Sequence, residues 1–116
     1  MNSDEQLKEN IFEHCLGKGN PSTELLERGS FPPNWVSRYA SLVEKATHVW
    51  VDRPEWPREV VASLHFASFY LEIRYEAWRR AAAQDNAVTR RGLGQVRRCS
   101  EVFLLGSVLK NEMPDI

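Results

Sequence analysis

No apolar run in this 116-residue chain approaches the roughly 18–20 residues that a membrane-crossing helix needs, so no membrane span is expected. Cysteine is scarce. Cys15 and Cys99 could form one bridge at most, far short of a disulfide framework. Net charge is missing too, because 15 Lys+Arg oppose 16 Asp+Glu for a formal −1. The acidic, polar start Met1-Asn2-Ser3-Asp4-Glu5 is the reverse of a secretory signal, which points to a cytoplasmic protein.

The motifs that carry chemistry are also lacking. There is no glycine-rich phosphate loop, no Gly-x-Ser-x-Gly, no CxxC and no HExxH. Gly92-Leu93-Gly94 lies inside a helical pattern with no preceding strand, so it is not a dinucleotide fingerprint. His14, Cys15, His48, His65 and Cys99 are scattered, whereas zinc sites cluster their ligands. The adjacent His14 and Cys15 would point about 100° apart on a helix. Cys15 sits near a helix C-terminus, where the dipole opposes a thiolate, and Cys99 lies on an apolar stripe. The expectation is therefore no catalytic residue, no metal and no cofactor. The weak exception is His65 with Glu72 and Glu76, which share a helix face and would need a concave site to act as acid and base.

What is present suits one all-α domain over residues 1–116. With 42% hydrophobic and 27% charged residues, the chain can fill a core. Periodicity gives four to five helices, peripheral ones within 1–30 and a main bundle over 34–111. The first runs from about Ser3 to Leu16, with Ser3 and Gln6 at capping-box spacing and Gly17 suited to the C′ position. Asn20 and Pro21 start a short helix that stops before Gly29. From about Asn34 to Trp50, Trp35, Tyr39, Leu42, Val43, Ala46, Val49 and Trp50 share one face. The longest stretch, about Pro57 to Gln84, carries Val60, Leu64, Ala67, Leu71, Tyr75 and Trp78 on one stripe. Phe66, Tyr70, Ile73 and Ala77 form a second. Such a wide arc predicts a central helix with partners on two sides.

Asp85-Asn86 then makes a turn and cap, and a last helix runs from about Ala87 to Asn111. Val88, Val96, Cys99, Val102, Phe103 and Leu109 are expected on its core face, with Gly92 and Gly106 allowing close packing. The last two helices should form an antiparallel αα-hairpin around which the bundle is built. Residues from Glu112 onward read as a frayed tail.

Charge is segregated along the chain. Residues 1–30 hold six acids against three bases, a local −3. Residues 74–98 hold seven arginines against Glu76 and Asp85, a local +5 with no lysine. Seven-residue spacing stacks Arg90 below Arg97 and Arg91 below Arg98 on the last helix. Arginine forks suit carboxylates or phosphates. Arg74, inside the apolar arc, needs Glu101 or another acid, or else that edge of the arc is surface.

These features fit a small non-enzymatic interaction module that binds and modulates or neutralises another protein, for example a bacterial immunity or regulatory protein facing a toxin or enzyme. Its candidate docking residues are Arg79, Arg80, Arg90, Arg91, Arg97 and Arg98, with Trp56, flanked by prolines, as an aromatic anchor. The apolar end Val102-Phe103-Leu104-Leu105, with Val108 and Leu109, also admits a homodimer. The alternative is nucleic-acid binding through Arg79–Arg98. It is disfavoured by the slightly acidic chain and by the lack of aromatics among those arginines.

Overall fold

The computed structural model describes the backbone of residues 2–112 and the side chains of residues 2–105. Among the described residues the regular structure is entirely helical: α1 (Ser3–Cys15), α2 (Ser22–Arg28), α3 (Trp35–Trp50), α4 (Arg58–Ala82) and α5 (Ala87–Glu112). The backbones of α1 and α3, α3 and α5, α5 and α4, and α4 and α1 approach closely, which closes a four-helix circuit. The α4/α5 hairpin is one side of that circuit, and α2 braces α4 from outside. Thus α4 packs against α1, α2 and α5, while α3 and α4 sit diagonally although consecutive in sequence.

α1 and α5 begin at Ser3 and Ala87 as expected, but the N-caps of the first two helices depart from expectation by one residue. Asn2, not Ser3, caps α1, its side-chain oxygen accepting the Glu5 amide at 2.8 Å. Asn20 accepts the Ser22 amide at 2.8 Å, so it orders the start of α2 from one residue outside the N-cap, which is Pro21. Gly17 does not take a left-handed C′ conformation. The positive-φ residues among those described are Gly29, Asn34 and Ala83. At Ala83 the left-handed turn ends α4 two residues before the expected Gln84.

The α3 face is buried as its periodicity demands, with Trp35, Tyr39, Leu42, Val43, Ala46 and Trp50 inside and Val49 half-buried. The first α4 stripe is buried through Tyr75, with Trp78 half-buried at its end. The second is not, because α4 has no neighbour on that side: Phe66 is half-buried and Tyr70, Ile73 and Ala77 are exposed. From the first two helices, Leu7, Ile11, Cys15 and Leu25 enter the common core.

Two polar locks orient the helices. The His14 Nε2–H donates to the Trp35 carbonyl at 3.0 Å, while the Trp35 indole donates to the carbonyls of Gly19 and His14. Burial, and to a lesser extent the charge of Arg38, hold the His14 pKa below its ordinary value against the effect of the Trp35 bond. At the other lock, the Gly29 carbonyl accepts from Thr89 Oγ1 at 2.8 Å and Asn86 Nδ2 at 3.2 Å. Gly29 has φ 65°, and a Cβ there would overlap the Trp78 ring.

Gly29→Ala therefore combines a left-handed non-glycine residue with overpacking, and we expect a loss of about 2–5 kcal/mol in denaturant unfolding. The His14 environment gives a pH signature. With its folded pKa below 6.5, the unfolded chain takes up the proton first as pH falls. The stability it contributes is complete above 6.5 and fades as pH falls towards the folded value. Unfolding free energy should thus decline between pH 7 and 5.5, and His14→Gln should flatten that decline; equal slopes would contradict this account.

Candidate functional site

The rotation of α5 about its own axis decides which arginines face outward. Asn86 caps the helix by accepting the Thr89 amide at 3.2 Å, and its own amide donates to the Tyr75 hydroxyl at 2.7 Å. Tyr75 in turn donates to Asp85 at 2.6 Å. The Thr89 hydroxyl is tied to Gly29, and Ser100 donates to the Val96 carbonyl while receiving the Tyr39 hydroxyl at 2.5 Å. The buried row is therefore Thr89, Leu93, Val96, Ser100 and Phe103.

This corrects the expected core face. Val88 and Val102 are 69% and 61% exposed, and Cys99 is only half-buried. The buried positions include two hydroxyls whose hydrogen bonds are satisfied, which hydrophobicity alone does not reveal. Gly92 does provide close packing, since a Cβ there would sit 3.1 Å from Phe31 and 3.2 Å from Val36. Gly106, Val108 and Leu109 lie outside the described side chains, and residues 113–116 lie outside the described structure.

The arginines separate into two groups. Along the α4/α5 seam, Arg90 pairs with Asp85, Arg97 with Glu72, and Arg79 with Glu76. The Arg79 hydrogen bonds hold the Glu76 carboxyl below the usual range. Arg80, Arg91 and Arg98 have no ion pair among the described residues, and all three are exposed. Arg91 and Arg98 line a groove of about 910 Å³. Pro32, Pro33 and Val36 form its opposite wall, and Val88 and Gln95 share the α5 side. The first turn of α3, which borders this groove, carries no acidic residue.

Trp56 is half-buried, its ring 4.7 Å from that of the buried Phe103. His65, Glu72 and Glu76 do not converge. The His65 ring stacks on Phe69 at 5.6 Å, while the two carboxylates are engaged by Arg97 and Arg79. Neither Glu101 nor another described acid pairs with Arg74. Its guanidinium lies 5.4 Å from the Tyr70 ring centre, and its Nε is buried without a hydrogen-bond partner. The open edge of the α4 arc is thus surface, with Phe69 59% and Ile73 48% exposed. No group of three His, Cys, Asp or Glu among the described residues could hold a metal ion. Burial pushes the Cys15 thiol up to about 12, well away from a reactive thiolate, and raises the Cys99 thiol too. No described helix is long and apolar enough to cross a membrane.

Because Arg91 and Arg98 are exposed and make no ion pair among the described residues, replacing both with Gln should leave the unfolding free energy unchanged within about 0.5 kcal/mol. A loss above about 1 kcal/mol in thermal or denaturant unfolding would show that they are structural.

No protein-family model matches this chain, and neither the curated proteins nor the solved structures yielded a match.

Proposed function

We propose that this chain is a small interaction module that binds and modulates or neutralises another protein without chemistry of its own. An immunity-type or regulatory protein acting on a toxin or enzyme is its most specific form. The observation that carries the reading is the contrast between the two arginine groups. Arg79, Arg90 and Arg97 are neutralised within the molecule, whereas Arg91 and Arg98 stand unpaired on a groove beside exposed Val88. Unpaired arginines next to apolar surface match the composition of protein docking sites, where acidic side chains of the partner complete bidentate pairs.

The seam pairs also weaken the nucleic-acid alternative, because three of the six stripe arginines already have carboxylates. Fewer free cations mean fewer phosphate contacts.

The test is capture of tagged chain from native lysate, with and without nuclease, followed by mass spectrometry. The expected outcome is one stoichiometric protein that survives nuclease and is lost with Arg91→Glu/Arg98→Glu. Enrichment that disappears with nuclease, with affinity falling steeply as salt rises, would transfer the arginines to a phosphate backbone.

A further inference from the structure

The outward row of α5 has a regularity that the groove alone does not explain. Val88, Arg91, Gln95, Arg98, Val102 and Leu105 follow one another at alternating steps of three and four residues, and all six are exposed. This is the a/d spacing of a coiled-coil seam, sustained over roughly 25 Å of helix. On a straight helix such a row drifts about 20° per heptad, so only another helix crossing at about 20° can follow it along its length. Its ends are apolar: Val88 is 69% exposed at one, and Val102 and Leu105 are 61% and 45% exposed at the other. Its centre is Arg91, Gln95 and Arg98.

Resting on the function proposed above, we infer that the element taken up by this face is an amphipathic helix of a partner protein. That helix is apolar at its two ends, acidic between them, and packed along α5 in heptad register. Charge complementarity selects this occupant. Covering Arg91 and Arg98 without carboxylates would bury two unpaired charges, so the partner must supply acids at the positions facing them. A second copy packed by the same row would bring two more arginines into the seam. An extended segment also fits poorly, because it presents a side chain to one face about every 6.6 Å, against a mean near 5 Å here. Gly94 lies beside the row, and a Cβ there would meet only Arg98 Nη1 at 3.4 Å, so a partner backbone has room to approach. The wall formed by Pro32, Pro33 and Val36 flanks the Val88–Arg98 half of the row.

The test uses the full chain and two labelled 21-residue helical peptides of identical composition, read by fluorescence anisotropy. One peptide places leucine at the outer a and d positions and glutamate at the central ones. The other spreads the same residues around the helix. The heptad peptide should bind at least about tenfold tighter than its isomer, and Arg91→Gln/Arg98→Gln should remove at least about tenfold of that affinity. Val102→Ser should weaken the heptad peptide alone.

If both peptides bind alike and both are weakened by the double arginine variant, the helical register is overturned while arginine docking of an acidic protein stands. If neither responds to the double variant, the docking reading of this face fails with it. A twelve-residue oligothymidylate binding tighter than either peptide would overturn the proposal in favour of phosphate. Sedimentation showing self-association of the chain that the same variants abolish would overturn it in favour of a second copy.

Discussion

The Trp35 indole holds together parts of the chain that would otherwise be separate. Its N–H is shared between the carbonyls of Gly19 and His14, and its own carbonyl receives the His14 imidazole, so the end of α1 and the start of α3 are joined reciprocally. The ring is sandwiched in a stack with His14 at 4.4 Å, Phe31 at 5.2 Å and Tyr39 at 5.3 Å. Tyr39 extends the connection to Ser100 on α5. Buried polar groups carry a desolvation cost that only well-placed partners offset, so this arrangement tolerates few alternatives. It positions the Phe31–Val36 segment as one wall of the groove, and thereby links the core to the surface proposed to bind.

The second constraint is the rotation of α5. A helix whose apolar residues fall on more than one face, as Val88, Leu93, Val96 and Val102 do on α5, has several ways to face its core, and hydrophobicity alone does not choose among them. Thr89 and Ser100 choose, because each hydroxyl has a partner on another element: Thr89 donates to the Gly29 carbonyl, and Ser100, whose own proton goes to Val96 within α5, receives the Tyr39 hydroxyl of α3. Burying that row turns Val88 and Val102 outward and divides the arginines between an ion-paired seam and an open face. The surface chemistry is thus a consequence of two buried hydrogen bonds.

Much of the fold was legible because strong periodicity overrides weak competing signals. The α3 stripe from Trp35 to Trp50 and the first α4 stripe are read directly from 3.6-residue spacing. The α4 arc is wider than its buried face: Phe66, Tyr70, Ile73 and Ala77 have the spacing of a buried stripe, but no neighbouring helix covers it. On α5 the buried row contains Thr89 and Ser100, which a hydropathy pattern assigns to solvent. Gln84, expected inside α4, falls beyond a left-handed Ala83, a conformation that alanine does not advertise.

The seven-residue repeat of arginines and its extension to Val88, Val102 and Leu105 are properties of the sequence alone. So are the helical class, the hairpin of the last two helices and the segregation of charge, because each depends on neighbours within a few turns. Arg79 and Arg90 find carboxylates within five residues of themselves, whereas the neutralisation of Arg97 was decided only by the tertiary structure. Glu72 reaches Arg97 across 25 residues of sequence, and the partners that set the α5 rotation, the Gly29 carbonyl for Thr89 and the Tyr39 hydroxyl for Ser100, lie on a loop and on α3. Local periodicity fixes which residues share a face, but long-range hydrogen bonds fix which face is turned to water.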